Sequence, residues 1–305
     1  MKLTGIHFLL TYQCNSECDH CFVWGSSRQS GTFTLENIRK ALNQAQEVGS
    51  IEWIYYEGGE PYLYYPILLK AVQEAAQRGF QVGIVSNAYW AINEEDARAW
   101  LEPFSGLIQD LTVSTDLYHY SQRISQQAQN VTAVAEAMGI PIGVISVAQP
   151  EGCNLRDLQV RTVIGQLPVG ESGVMYRGRA TEKLVQKANC QPWQQFNECP
   201  HEDLREPGRV HLDPFGNLHI CQGISIGNLY EIPLKEICAK YNPEAHPIVA
   251  PLLAGGPAEL ARRYGFKPDE RYADACHLCF AARKEIRDRF PQVLIPDQMY
   301  GVVEG

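Results

Sequence analysis

Over the first 180 residues, apolar positions alternate between two spacings. Compact apolar runs of strand character stand at 5–12 (GIHFLLTY), 51–56, 80–86, 107–114, 140–147 and 172–177. Between them, apolar residues recur three and four apart, the helical period. In 34–49, Leu35, Ile38, Leu42, Ala45 and Val48 share a face, Thr34 can cap the start and Gly49 ends the run. The same reasoning predicts helices over 66–79, 93–101, 121–139 and 154–167. Six strands separated by helices imply parallel crossovers, hence an α/β fold with either an open doubly wound sheet or a partial barrel.

The alternation stops near 181–190. Residues 181–275 are rich in Pro, His, Gly and Cys and hold only short apolar runs, so the expected units are 1–180 and 181–305. With 305 residues and 45% hydrophobic content, the chain can bury one large core plus a smaller unit. It opens with no signal-peptide pattern, and no apolar stretch approaches the ~20 residues that span a bilayer. A cytoplasmic, reducing location is expected, where ten cysteines bind metal or do chemistry rather than pair. A net charge of −9 argues against nucleic-acid and anionic-membrane partners.

Three cysteines crowd into CNSECDHC (14–21), directly after the first strand, at the end where parallel α/β folds bind ligands. Three thiolates suit a 4Fe–4S cubane with one open iron; a zinc site borrowing a distant ligand is the alternative. After the second strand comes YEGGEP (56–61). Gly58 and Gly59 are expected to let backbone approach a ligand, Glu60 adds an acceptor and Pro61 fixes the exit.

With both motifs in register on neighbouring strands, the sequence resembles the radical S-adenosylmethionine (SAM) superfamily, and does so over nearly its whole length. The resemblance implies a partial (β/α)6 TIM-like barrel in which Cys14, Cys18 and Cys21 hold a 4Fe–4S cluster. His20 takes a position that is usually aromatic, and Gly58, Gly59, Glu60 and Pro61 form the turn that meets the methionyl amine of SAM. VSNA (85–88) looks like the Ser/Thr-Asn-Gly element, supplying Ser86 and Asn87, with Ala88 in place of glycine. TVSTDLYH (112–119) looks like the strand lining the active site, with Ser114, Asp116, Tyr118 and His119; YRGRA (176–180) resembles the Gly-Arg-Ala element, with Arg177 and Arg179. The implied chemistry is reductive cleavage of SAM to methionine and a 5′-deoxyadenosyl radical, which removes a substrate hydrogen atom. A flavodoxin- or ferredoxin-type protein is the implied electron donor.

Cys199, Gly216, Cys221 and the pair Cys276 and Cys279 resemble the auxiliary-cluster extension of these enzymes, although 16 residues separate Cys199 from Gly216, slightly long for that pattern. No cysteine follows Cys279, so the truncated twitch form with one auxiliary 4Fe–4S cluster fits better than the longer SPASM form; a structural zinc knuckle is the alternative. Cys238 reads as a core residue and Cys153 as incidental. Cys190 is a candidate cluster ligand or hydrogen-atom donor. Asp116, Tyr118 and His119 read as a proton relay or substrate contact, or as a capping cluster. Arg177 and Arg179 suit a SAM or substrate carboxylate, or a salt bridge at the barrel edge. Trp24 is placed to wall the first cluster from solvent.

Two substrate classes follow. The layout resembles small enzymes that modify ribosomally made peptides by oxidation, cross-linking or epimerisation. Small single-cluster relatives also include dehydrogenases of aminocyclitols, so a small sugar-like molecule is the second reading. A non-catalytic iron–sulfur sensor is the remote one. Peptide epimerases of this layout carry a second cysteine beside that of the Gly-x4-Cys element; here Gln222 follows Cys221, which favours net oxidation or cross-linking. Because 13 residues precede Cys14, a peptide would be recognised by the barrel mouth, the extension or a partner protein.

Overall fold

The computed structural model describes residues 1–150, 162–164, 167–169 and 171–303. Strands and helices alternate as β1 (Gly5–Thr11), α1 (Leu35–Val48), β2 (Trp53–Gly58), α2 (Tyr65–Gln77), β3 (Gln81–Ser86), α3 (Glu94–Leu101), β4 (Asp110–Ser114), α4 (Gln126–Met138) and β5 (Ile142–Val147). Then come β6 (Thr162–Ile164), β7 (Leu167–Val169), β8 (Glu171–Ser172), α5 (Ala180–Lys183) and β9 (Gln191–Pro192). The C-terminal part holds β10 (Arg209–Leu212), β11 (Asn217–Cys221), β12 (Ile224–Asn228), α6 (Leu234–Lys240), α7 (Val249–Tyr264), β13 (Arg271–Tyr272) and α8 (Ala275–Glu285).

A nine-stranded sheet organises the chain, in the order β12-β11-β10-β1-β2-β3-β4-β5-β8. Its pairs from β10 to β8 are parallel, and β11 and β12 add antiparallel strands at one edge. This is the expected α/β fold, a mostly parallel sheet resembling a partial TIM barrel. The cysteine-rich C-terminal part continues the sheet, because β10 pairs with β1 from Gly5↔Arg209 to Phe8↔Leu212. One apolar cluster therefore mixes Ile6, Phe8 and Ile54 with Val210, Leu218 and Leu234. A second joins Leu9, Tyr12 and Trp24 to Ile220, Leu252 and Phe280.

Local rules account for the element ends. Thr34 accepts from the Asn37 N–H at 3.2 Å, and Gly49 ends α1 at φ 78°. Ile38, Leu42 and Ala45 are buried on the predicted face. Asn93 caps α3 by accepting from Asp96 N–H. The helix predicted over 121–139 starts five residues later, because Ser125 caps it through Ala128 N–H while Thr115 Oγ1 binds the backbone of Arg123 and Ser125. Of the helix predicted over 154–167, residues 154–161, like Cys153, lie outside the described residues. Thr162–Ile164 is instead a strand, paired antiparallel with Leu167–Val169, as its β-branched run favours. The sixth strand predicted over 172–177 pairs with β5 only at Glu171 and Ser172. Beyond it the backbone donors are taken elsewhere: Tyr176 N–H donates to Asp274 and Arg177 N–H to Met175 O. Cys238 is buried in the core as expected.

Replacing Thr34 by Ala removes the α1 cap, and about 1 kcal/mol of stability should go with it. A lowered thermal midpoint by circular dichroism is the expected result.

Candidate active site

The C-terminal ends of β1 to β5 surround a cavity of about 310 Å³. Cys14, Cys18 and Cys21 line it together with His20, Gly58, Gly59, Ser86, Asn87, Ser114, His119 and Arg177, all expected from the sequence. The β1 ladder shifts register between Leu9 and Thr11, and the cysteine loop departs from that bulge.

All three thiols are free. Burial, then the neighbouring thiols and acids, push Cys14 up to about 12 and raise Cys18 as well, although N–H donation to Cys14 acts the other way. The Ser16 N–H donates to Cys14 Sγ at 3.4 Å and the Gly25 N–H to Cys21 Sγ at 3.2 Å. Bare thiolates this close would repel, so the set fits a cationic iron–sulfur group that neutralises them while backbone N–H groups support the sulfurs.

The Gly-Gly turn lines the cavity and also packs against the cysteine loop. A Cβ on Gly59 would stand 2.0 Å from Gln13 O, and one on Gly58 (φ 135°) 2.4 Å from Thr11 O. These glycines let backbone approach backbone: Gly59 N–H donates to Thr11 O and Glu60 N–H to Gln13 O. Glu60 and Pro61 lie behind the cavity wall. The Glu60 carboxylate is fully buried and accepts from Tyr62 N–H, Ser86 Oγ and Asn87 N–H at 2.7–3.1 Å. Burial pushes it up to about 7 against those hydrogen bonds. Asn87 also donates to Asn15 Oδ1, a residue inside the cysteine motif that its polar type alone did not single out. Ala88 takes the left-handed φ of 61°, where the related element carries glycine.

Asp116 is buried beneath the cavity, with His119 Nδ1 at 2.8 Å and His20 Nε2 at 3.6 Å. It also accepts from the backbone N–H of Tyr118, His119 and Val147. Burial opposes its charge, but the two imidazoles outweigh burial and hold the carboxyl well below its usual range. Arg179 is a brace rather than a carboxylate receptor. Its guanidinium donates to Cys18 O and Gly25 O, both at 2.8 Å, and its own N–H donates to Cys21 O. A Cβ on Gly178 (φ 58°) would stand 2.5 Å from Cys21 O. Trp24 packs beneath Arg179 and against Gly301, away from the cavity lining.

Residues 8–127 match the Radical SAM superfamily. This segment is a radical SAM domain. The radical SAM domain carries the cysteine loop, the Gly-Gly turn and Asp116. Among curated proteins, YydG of Bacillus subtilis, named for peptide biosynthesis, is 26% identical over 123 residues, 40% of this chain and 39% of YydG. The tungsten-containing aldehyde ferredoxin oxidoreductase cofactor-modifying protein of Pyrococcus furiosus is 25% identical over 135 residues, 44% of this chain and 34% of that protein. The matches thus span well under two thirds of either relative. In fold, the chain is similar to anSMEcpe with bound AdoMet and the Cp18Cys peptide: TM-score 0.52 and 11% identity, covering 94% of this chain and 97% of that one.

Outside the radical SAM domain, Cys199, Cys221, Cys276 and Cys279 line a second, apolar hollow. Cys221 ends β11, while Cys276 and Cys279 sit in the first turns of α8, capped by Asp274. Arg177 lines both hollows, stacks 5.4 Å over Phe22 and reaches Cys221 Sγ at 3.7 Å and Glu202 at 3.5 Å. Cys190 lines neither hollow; its thiol contacts Ala188 O and its carbonyl is held by Arg271.

Three outcomes follow from this geometry. Gly59→Val should unfold or mispack the cysteine loop, so loss of iron should accompany loss of SAM binding; intact iron content with SAM binding alone abolished would contradict the backbone clash. Arg179→Ala removes two charge-assisted hydrogen bonds, about 3 kcal/mol or more, and should lower iron retention on the domain, with Arg179→Lys intermediate. Glu60 should titrate near pH 7, read as a protonated-carboxyl infrared band present in wild type and missing from Glu60→Gln. Because its folded value is raised, unfolding releases that proton, and its contribution to stability falls as pH rises from about 4.3 to about 7.

Proposed function

We propose that the chain is a radical SAM enzyme that modifies a ribosomally made peptide. In this reading Cys14, Cys18 and Cys21 hold a 4Fe–4S cluster whose open iron takes SAM, and Cys199, Cys221, Cys276 and Cys279 hold a second 4Fe–4S cluster. The observation that carries the reading is the convergence of three free thiols and the Gly-Gly turn on one cavity, with four more thiols around a hollow one arginine away. Four thiolates saturate a cubane, so the second set suits electron transfer rather than substrate binding. The family relationship of YydG supports a peptide substrate, and the structural neighbour anSMEcpe holds one in a chain of the same fold.

When bound, the first cluster and SAM supply a carbon-centred radical that removes a hydrogen atom, and the second cluster supplies an electron acceptor. The protein's own residues do the rest. Phe22, Val85, Ile145, Val147 and Met175 give the cavity apolar walls that exclude water from the radical. His119 faces the cavity and Asp116 fixes its Nδ1, so His119 Nε2 is the group placed to take the proton that leaves an oxidised substrate. Cys190 stands away from the cavity and Gln222 follows Cys221, which supports net loss of two hydrogens over epimerisation. A flavodoxin- or ferredoxin-type donor would reduce the first cluster. No helix among the described residues is long and apolar enough to cross a membrane, which is compatible with the proposed cytoplasmic location.

Anaerobic reconstitution should give about eight irons per chain, falling to about four when Cys14, Cys18 and Cys21 are all alanine. With dithionite, the wild type should convert SAM to 5′-deoxyadenosine and the triple variant should not. Zinc in the thiol sites in place of iron would overturn the reading. With a peptide encoded beside the gene, the product should be two hydrogens lighter and Cys190→Ala should behave as wild type. One deuterium gained in heavy water, with no mass loss in light water, would instead establish epimerisation.

A further inference from the structure

A second group of ligating side chains lies deeper in the sheet, apart from the cysteines. His7 on β1, Glu57 on β2 and His211 on β10 come from three adjacent parallel strands. His7 pairs in register with His211 on one side and Tyr55 on the other, and Glu57 stands two residues beyond Tyr55 on the same face. The ligand atoms of the three residues all lie within 4.8 Å of one another.

Ion pairing holds the three side chains together but leaves some of their polar atoms poorly satisfied. Glu57 Oε2 stands 3.3 Å from His7 Nδ1 and Oε1 stands 3.0 Å from His211 Nε2. Against burial, the two imidazoles hold the Glu57 carboxyl well below its usual range, yet His7 Nδ1 and Glu57 Oε1 remain buried without a well-formed hydrogen bond. A buried carboxylate oxygen without a well-aligned partner is destabilising unless something else satisfies it. The two short separations run to different oxygens of the Glu57 carboxylate, and with one ligand atom per residue the three atoms lie within 4.8 Å, somewhat wider than the edge of about 3.4 Å in a coordination tetrahedron with bonds of 2.0–2.2 Å. The ring of His7 is held by stacking on Tyr55 at 4.6 Å, and His211 is backed by Phe22 at 6.5 Å, so both imidazoles have fixed orientations.

We propose that His7, Glu57 and His211 form a mononuclear site for a divalent first-row transition ion, distinct from both cysteine sets. Two imidazoles and one carboxylate suit Zn²⁺, Fe²⁺ or Co²⁺, whereas the thiols select iron–sulfur clusters. Three protein ligands leave at least one coordination position. Glu57 also lines the main cavity, so that position is available to an oxygen or nitrogen donor of a molecule bound there.

The probe is zinc chloride, added to anaerobically reconstituted, iron-loaded protein whose thiol sites are already filled. After desalting, mass spectrometry should count about one zinc per chain in wild type and at least fivefold less in His7→Ala, His211→Ala and Glu57→Gln, with iron content unchanged. Zinc X-ray absorption of the wild type should show nitrogen and oxygen neighbours at about 2.0–2.2 Å and no sulfur at 2.3 Å; this arm holds even if a variant fails to fold. Failure of the wild type to retain zinc would reduce the cluster to a His–Glu–His ion-pair bridge and overturn the proposal. Zinc retained equally by the variants, or zinc with sulfur neighbours, would overturn it as well.

Discussion

The candidate site depends on backbone packing directly against backbone around the cysteine loop. That loop leaves β1 at a bulge and runs to residue 31 with little regular structure of its own, so its carbonyl groups need partners from elsewhere. Two other turns supply them. The turn after β2 donates from Gly59 and Glu60 to Thr11 and Gln13, and the turn before α5 donates from Arg179 to Cys18, Cys21 and Gly25. Both contacts are possible only without side chains at Gly59 and Gly178, where a Cβ would stand 2.0 and 2.5 Å from a carbonyl oxygen. The spacing of the thiols is therefore set by three turns locked together rather than by the cysteine motif alone.

The same constraint reaches the second cysteine set. β10 pairs with β1, so the strands that carry Cys221 are registered on the strand that delivers Cys14. Gly256, at φ 62°, interrupts α7 and lets it press on the backbone of residues 197 and 198, immediately before Cys199. Arg177 and Phe22 occupy the space between the two hollows. Cys221 thus stands on the sheet that delivers Cys14, while Cys276 and Cys279 come from α8.

Three carboxylates near the cavity meet the cost of their charge in two ways. Asp116 has two imidazoles and three N–H donors, which more than offset burial. Glu57 likewise has two imidazoles, His7 and His211, which outweigh burial and hold it below the usual range. Glu60 has neutral donors only, and burial raises it towards neutrality. Neutral hydrogen bonds compensate a buried charge less well than charged partners do. Glu60 thus acts as an internal tie between the turns after β2 and β3.

Much of this was legible in the order of residues. Helical and strand periods located β1 to β5 and α1 to α4, since amphipathic faces and caps are local properties, as Thr34, Gly49 and Asn93 show. Cysteine spacing located the thiols that share a cavity, because a loop of eight residues cannot spread its ends far. What only the tertiary structure decided were matters of pairing between distant segments. The contact of Gly59 with Gln13, of Arg179 with Cys18 and Gly25, and of Cys190 with Arg271 joins segments far apart in sequence. His7, Glu57 and His211 lie in three separate segments, and nothing in any one of them points to the others. Their meeting is a consequence of strand order and register, which follow from the packing of the whole sheet and leave no mark on any one segment.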